Sequence, residues 1–94
     1  MNKPWSVYLI RCNDNSVYTG ISNDVEKRFE VHQNGNGATT KYTRSRRPLS
    51  LVFQATIGTR SQASKLEIQI KKLSKSKKEH LIQGKLKLGD IQNI

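Results

Sequence analysis

The sequence is poor in cysteine, and the single Cys12 excludes several kinds of stabilisation and chemistry. One thiol can form neither a disulfide nor a thiolate metal cluster within the chain. Because Cys12 follows an apolar stretch, we expect it to be a small, partly buried hydrophobic residue. The fold must therefore depend on a hydrophobic core, and 94 residues leave room for one modest core.

A long apolar run is also missing. The apolar stretch near the N-terminus is interrupted by Arg11, so it is shorter than the roughly 20 residues of a membrane-spanning helix and has no signal-peptide pattern. The lysine-rich stretches lack the bulky apolar anchors that a helix lying on a membrane surface needs. The sequence therefore predicts a cytoplasmic protein that binds no membrane.

Acidic residues are scarce: 7 Asp and Glu stand against 17 Lys and Arg, which gives a formal net charge of +10. Between Glu30 and Glu79 the only acid is Glu67. The cations of that interval are Lys41, Arg44, Arg46, Arg47, Arg60, Lys65, Lys71, Lys72, Lys75, Lys77 and Lys78. Such an excess is typical of proteins that bind a polyanion, so nucleic acid is the expected partner.

Three stretches rich in strand-forming residues predict a small antiparallel sheet. They span residues 5–11, 16–21 and 49–57, and the polar Asn13-Asp14-Asn15 sequence between the first two predicts a hairpin turn. Residues 35–48 have no apolar period and predict a basic loop. Loops of this length in small domains usually bind something, so we expect this one to contact the partner.

Helical periodicity predicts three helices around this sheet. The first begins after Asn23 or Asp24, the second is capped by Ser61, and the third starts with a capping box of Ser76 and Glu79. The second has Ala63, Leu66, Ile70 and Leu73 on its inner face. The expected ends of the first and third helices are the Asn34-Gly35 pair and Gly84.

These elements predict one α+β domain, with a small three-stranded antiparallel sheet flanked by helices in the order β-β-α-β-α-α. The domain is expected to span residues 1–94, with its core at about 5–82 and a tail at 83–94. The sequence contains no internal repeat and no low-complexity linker, so we expect no second domain.

The hairpin carries two tyrosines, and the length of its turn decides whether they share a face. If Asn13, Asp14 and Asn15 form a three-residue turn, Tyr8 lies opposite Gly20 and diagonal to Tyr18, within roughly 7–8 Å. A two-residue turn would place the tyrosines on opposite faces. The ordinary alternative is that both pack in a core with their hydroxyls near the surface. Gly20 within a strand indicates a close approach to the backbone or a bulge.

Two polar side chains of the first helix are positioned to reach the same cleft. Arg28 and His32 are one turn apart beside the apolar stripe that faces the sheet. A solvated arginine and a histidine favoured by the helix dipole are the ordinary alternatives. The other histidine, His80, has no comparable neighbours in the sequence.

Glu67 lies near the rim of the second helix's buried face. Its ordinary interpretation is a salt bridge with Lys71 at i+4, which contributes little stability. A single carboxylate can also hold Mg²⁺ when waters and a substrate phosphate complete the octahedron. The spacing alone leaves both interpretations open.

The hairpin, the first helix and Glu67 together resemble the GIY-YIG nuclease superfamily, in particular its small, single-domain bacterial branch. The tripeptide Ser6-Val7-Tyr8 occupies the place of the first family tripeptide, and Tyr18-Thr19-Gly20 that of the second. The likeness covers about residues 5–81. It implies the family's small antiparallel sheet with flanking helices and a nuclease-type activity.

The resemblance implies a phosphodiester hydrolase that uses one Mg²⁺ or Mn²⁺ ion. Its catalytic residues would be Tyr8, Tyr18, Arg28, His32 and Glu67. Either tyrosine would act as the base, with His32 as its proton partner, and Glu67 would bind the metal. Arg28 would stabilise the charge of the phosphorane. Nucleic-acid contacts would come from Gly20, Lys41, Tyr42, Arg44, Arg46, Arg47, Lys71 and Lys72.

Three functions remain open at this point. The four residues Tyr8, Tyr18, Arg28 and Glu67 fall in family order, which favours a metal-dependent endonuclease acting on DNA, selective for structure rather than sequence. A domain this small carries no separate targeting module, so we expect low intrinsic specificity or a partner protein that supplies it. The alternatives are a nucleic-acid-binding module without catalysis and an RNA-associated structural protein, because composition fits all three.

Overall fold

A three-stranded antiparallel sheet in the order β2-β1-β3 forms the centre of the computed structural model, which describes residues 3–34, 43 and 45–91. The strands are β1 (Trp5–Arg11), β2 (Val17–Ser22) and β3 (Ser50–Gly58). The helices are α1 (Val25–Asn34), α2 (Arg60–Lys71), α3 (Lys75–Ile82) and the short α4 (Leu88–Ile91). The α+β prediction is confirmed, and so is its β-β-α-β-α-α order through α3; the short α4 is an additional element.

The hairpin turn has the odd length on which the site prediction depended. The Cys12 N–H donates to the Ser16 carbonyl, and the Asn15 N–H donates to the Cys12 carbonyl, each at 2.9 Å. Asn15 has a φ of 69°, a left-handed conformation that asparagine tolerates. The register therefore pairs Tyr8 with Gly20 and Ile10 with Tyr18, so both tyrosines lie on one face, as predicted.

The two faces of the sheet carry two separate hydrophobic clusters. One cluster joins the sheet to the last three helices, and its buried members are Val7, Leu9, Val17, Leu66, Ile70, Leu81 and Ile91. The other lies on the tyrosine face, and its buried members are Tyr8, Ile10, Cys12, Val25 and Leu49. Because successive strand residues point to opposite faces, the sheet is held from both sides and the tyrosines face α1.

Two of the predicted helix starts are wrong. The cap of α2 is Thr59 rather than Ser61: its side chain accepts from the Gln62 N–H, and the Gln62 side chain accepts in return from the Thr59 N–H. The cap of α3 is Ser74 rather than Ser76. Each helix begins two residues earlier than predicted because an equally good cap residue lies there.

The first helix follows the prediction more closely. Asp24 precedes α1 and accepts from the Lys27 N–H at 3.3 Å, as an N-cap carboxylate does. The predicted boundary of the core at about residue 82 is too early: α4, within the stretch predicted to be a tail, brings Ile91 into the first cluster, where it is 1% exposed. Among the residues that the structure describes, no helix is long and apolar enough to cross a membrane.

Glu79 joins α3 to the centre of the sheet instead of capping its own helix. Its carboxylate accepts from both terminal nitrogens of Arg11 and from Lys75 at 2.8 Å. Lys75 also donates to the carbonyl of Asn15 at 2.6 Å. The hydrogen bonds from Arg11, and next the one from Lys75, lower the pKa of Glu79 to about 2.

We expect Glu79→Gln to lower the free energy of unfolding at pH 7 by about 1 kcal/mol, the upper end for partly exposed pairs. The folded-state pKa of Glu79 is depressed from 4.5. The contribution is therefore complete above about pH 4.5 and lost as the pH falls toward 2. Urea titrations from pH 7 to pH 3 would show the two proteins converge in acid. Glu26→Gln, on the exposed side of α1, is the control; a gap that stays constant with pH would contradict the prediction.

Candidate active site

The ring of Tyr8 lies directly across Gly20 on the neighbouring strand. A Cβ atom placed on Gly20 would be 2.5 Å from the Tyr8 hydroxyl oxygen and 2.6 Å from Cζ, distances that no side chain can occupy. The close approach predicted at Gly20 is therefore made by the protein's own tyrosine. Glycine at this position leaves room for the end of the Tyr8 ring beside β2, from where its hydroxyl reaches His32 on α1.

Tyr8, His32 and Thr43 form a buried line of hydrogen bonds. The Tyr8 hydroxyl oxygen is 3.1 Å from His32 Nε2, and His32 Nδ1 is 2.9 Å from Thr43 Oγ1. Tyr8 is 2% exposed, and the other two residues are fully buried. Either Tyr8 donates to His32 and His32 to Thr43, or the line runs in reverse. In both arrangements each imidazole nitrogen has a partner, so the ring is held in one orientation.

Burial keeps the side chains of this hydrogen-bonded line uncharged. Desolvation, reinforced by the neighbouring Tyr18, raises the pKa of Tyr8 to about 12. Desolvation, reinforced by the charge of Arg28, lowers the pKa of His32 to about 4. Near neutral pH the phenol is therefore protonated and the imidazole neutral, and transfer of the proton from Tyr8 to His32 is unfavourable in the free protein.

Tyr18 completes the aromatic cluster from the second strand. Its ring centroid is 5.3 Å from that of His32 in an edge-to-face arrangement, whereas the Tyr8 and His32 centroids are 6.1 Å apart. Tyr18 is only partly buried, unlike Tyr8. Of the two phenols, Tyr18 is thus the one that solvent reaches more readily.

Arg28 and Glu67 bring opposite charges to the same cluster. Arg28 opposes the rise of the Tyr8 pKa, while Glu67 adds to it, so both charges act on the Tyr8 hydroxyl. Arg28 comes from α1 and Glu67 from α2, which contacts the edge strand β2. The structure thus brings all five predicted catalytic residues into one neighbourhood from β1, β2, α1 and α2.

Glu67 is the carboxylate available to a metal ion. Its side chain is 19% exposed and lies 3.5 Å from Lys71 Nζ, a loose i,i+4 ion pair of the predicted kind. Within residues 3–34, 43 and 45–91, no group of three His, Cys, Asp or Glu side chains could enclose an ion. One oxygen ligand with waters and substrate oxygens suits Mg²⁺, which keeps much of its hydration shell, so the residues present fit a single ion of this kind.

Apart from Gly20, whose open side is occupied by the Tyr8 ring, the predicted nucleic-acid contacts divide into two groups. Lys41, Tyr42 and Arg44 lie outside the described residues. Of the others, Arg46 forms an ion pair with Asp14 at 3.0 Å, and Arg47 donates to the Gln33 carbonyl at 3.1 Å. Both arginines thus connect the segment before β3 to the hairpin turn and α1. Lys71 and Lys72 are exposed at the end of α2.

Thr43 is the site residue that sequence reasoning missed. A threonine within a polar loop gives no periodicity, no charge and no motif from which its burial could be inferred. Only the structure shows that the Thr43 hydroxyl lies within hydrogen-bonding distance of the His32 imidazole on α1.

Comparison with known proteins gives a consistent result. The sequence pattern of the GIY-YIG catalytic domain matches residues 4–80. The UPF0213 protein of Cronobacter sakazakii is 51% identical over 82 residues, covering 87% of this chain and 84% of its own. The UPF0213 protein YhbQ of Escherichia coli K12 is 49% identical over 79 residues, covering 84% and 77%.

Two solved structures are similar as well. The solution NMR structure of a UPF0213 protein from Bacillus halodurans has a TM-score of 0.55 and 36% identity, covering 94% of this chain and 92% of its own. The solution NMR structure of a protein from E. faecalis has a TM-score of 0.59 and 34% identity, covering 90% of each chain. The topology described above thus agrees with experimental structures of similar sequences.

We expect Gly20→Ala to displace the Tyr8 ring and to lower the free energy of unfolding by about 1–3 kcal/mol, the usual cost of overpacking. The added methyl group would overlap the phenol. Thermal unfolding and the NMR signals of His32 would report the loss of packing and of the hydrogen bond. Gly89→Ala, where no atom lies within 4 Å of the new Cβ, is the control. Equal behaviour of the two variants would refute the proposed overlap.

We expect Thr43→Val to destabilise the protein by about 1–3 kcal/mol, because it leaves a buried imidazole nitrogen without its partner. The ¹⁵N shifts of His32 should also change as the ring loses its orientation. Thr19→Val is a matched control: Thr19 is buried, and its hydroxyl has no hydrogen-bond partner among the described residues, so its removal should be neutral or stabilising. Unchanged His32 shifts in Thr43→Val would rule out the hydrogen-bonded line.

Proposed function

The chain belongs to the GIY-YIG catalytic-domain family, and from this premise we propose that it is a metal-dependent endonuclease that hydrolyses phosphodiester bonds, acting on DNA by structure rather than by sequence. The observation that supports this most strongly is the convergence of Tyr8, Tyr18 and His32 beside the opposite charges of Arg28 and Glu67. Perturbed pKa values in such a cluster are typical of functional sites.

In the proposed reaction, water attacks the phosphorus and the bond to the leaving oxygen breaks. Arg28 stabilises the negative charge of the phosphorane by a charge-assisted contact. The more accessible Tyr18 acts as the base that takes up the proton of the attacking water, and the leaving oxygen takes its proton from solvent. Tyr8 is buried and protonated, so it fixes His32 against Tyr18 rather than removing a proton itself in the free protein.

Glu67 would hold a single Mg²⁺ or Mn²⁺ ion. When bound, such an ion supplies a Lewis acid that polarises the phosphate and stabilises the leaving oxygen. Glu67 is suited to this because its carboxylate remains partly exposed and its ion pair with Lys71 is long, at 3.5 Å. The same position places it close enough to influence the Tyr8 hydroxyl.

Binding of the substrate backbone is assigned to the basic half of the chain. The net charge of +10 favours any polyphosphate, and such contacts carry no sequence information. Lys71 and Lys72 lie four and five residues beyond Glu67, so they border the proposed metal ligand. Because phosphate contacts do not read bases, we infer recognition by shape, with sequence selectivity supplied by a partner protein.

A second candidate is a nucleic-acid-binding module that does not cleave. The observation that favours it is the burial of Tyr8, which holds a phenol protonated where a nuclease needs a proton acceptor. Such a module would keep its affinity without Glu67 and without a divalent ion. The two candidates therefore differ in metal dependence rather than in affinity.

We expect Glu67→Gln to reduce cleavage at least about 100-fold, because a metal ion contributes several kcal/mol to stabilisation of the transition state. Labelled single-stranded, duplex, flap and branched DNA, with RNA alongside, would be incubated with Mg²⁺ or Mn²⁺ and with EDTA. Binding in EDTA should stay within about threefold of the wild type, since phosphate contacts dominate affinity.

Glu26→Gln is the matched control, since it removes one exposed carboxylate at the start of α1. It should cleave as the wild type does. Cleavage that persists in EDTA or in Glu67→Gln would contradict the one-metal proposal. Binding without cleavage by every protein would favour the non-catalytic module.

A further inference from the structure

A groove opens at the end of the sheet away from the hairpin turn. It has a volume of about 590 Å³ and lies between the start of β1, the end of β2 and the start of α2. Its walls include Lys3, Trp5, Asn23, Arg60 and Gln62. None of these residues belongs to the candidate active site, and the groove is open to solvent.

The groove places an aromatic ring beside a cation. The guanidinium carbon of Arg60 lies over the ring of Trp5, 5.2 Å from its centroid. Trp5 is the only tryptophan of the chain and is partly exposed. Within the described part of the chain no carboxylate pairs with Arg60, whereas Lys3 faces Asp24 at 3.5 Å with its own side chain 66% exposed. The groove thus combines an aromatic ring, one face of which carries the Arg60 guanidinium, with available positive charge.

An aromatic ring beside a cation is suited to bind one nucleotide. Bases of single strands stack on exposed aromatic side chains, and adjacent arginines contact the phosphates. Amides such as those of Asn23 and Gln62 add polar contacts at the rim. A duplex cannot use the groove in this way, because the faces of its bases are covered by their neighbours.

The groove lies a short distance from the candidate active site along two elements at once. On β1, Trp5 precedes Tyr8 by three residues; on α2, Arg60 precedes Glu67 by seven. At about 3.3 Å per strand residue and 1.5 Å per helical residue, each separation is roughly 10 Å. An unpaired strand with its phosphate at Glu67 and Arg28 therefore reaches the groove within roughly three nucleotides, because even the compact spacing within a duplex is about 3.4 Å per nucleotide of one strand.

We propose that this groove binds an unpaired nucleotide of a DNA substrate, with the base stacked on Trp5 and its phosphate at Arg60. The inference rests on the proposed function and specifies its substrate class: DNA with a single-stranded arm next to the cleaved bond. Fully paired DNA leaves the groove empty.

The single tryptophan permits a direct test in EDTA, where a metal-dependent nuclease would not cleave the strand. Emission from Trp5 in the wild type would be followed during titration with a pentathymidylate, with the same backbone carrying abasic sites, with a blunt duplex and with a pentauridylate. The pentathymidylate should quench the emission at least twofold more than the abasic strand or the duplex at equal occupancy, which fluorescence anisotropy of the labelled strands measures.

Substitutions of Trp5 and Arg60 distinguish the contribution of base stacking to binding from that of charge. Trp5→Leu should weaken binding of the pentathymidylate by about 5- to 100-fold, the range for loss of one stacked base, and should leave the abasic strand unaffected. Trp5→Phe retains a ring and should lose less. Arg60→Ala should weaken binding more than Lys85→Ala, which removes one exposed cation in the turn after α3. Thermal unfolding of each variant checks the fold.

Quenching that is equal for the abasic strand, or absent at full occupancy, would overturn the proposal, and so would a response confined to RNA. Failure to bind any single strand would overturn it as well. If Trp5→Leu does not fold, the wild-type titration and Trp5→Phe still decide the question. Base-dependent quenching by a protein that cleaves nothing would uphold the groove and reject the endonuclease, so the two proposals fail separately.

Discussion

The candidate site depends on one constraint, the register of the β1–β2 hairpin. With three residues in the turn, Tyr8 is paired with Gly20, and the phenol crosses the neighbouring strand where no side chain opposes it. That crossing brings the hydroxyl to His32 on α1 and leaves Tyr18 diagonal to it on the same face. A shift of the hairpin register by one residue would move one tyrosine to the opposite face of the sheet, beside the other hydrophobic cluster. The two tyrosines would then no longer belong to one site.

Much of this arrangement follows from the sequence because it rests on short-range rules. The two-residue period of a strand makes the face of Tyr8 and Tyr18 a question of turn length alone, and helical spacing places Arg28 beside His32. The helix caps show what these short-range rules cannot decide. Thr59 and Ser61, two residues apart, are both good caps, and the point at which β3 ends decides between them.

Contacts between distant parts of the chain could not be predicted. The sequence predicts that the Glu79 side chain takes part in capping α3. Instead its carboxylate accepts two hydrogen bonds from Arg11, 68 positions earlier. These charge-assisted hydrogen bonds are stronger than the single hydrogen bond of a cap. The hydrogen bond between Thr43 and His32 could not be predicted either, because no motif or spacing in the sequence relates the two residues. Local sequence gives the elements and their faces, whereas packing selects among equally good polar partners.

The burial of His32 also has a thermodynamic consequence for the whole molecule. An imidazole with a folded pKa of about 4 rejects a proton that the unfolded chain accepts near pH 6.5. Between these two values acidification therefore favours the unfolded state, and the destabilisation originates in the candidate site. At Glu79, by contrast, stability is lost only below about pH 4.5, as the pH falls toward 2. Keeping this histidine neutral thus narrows the range of pH over which the domain remains folded.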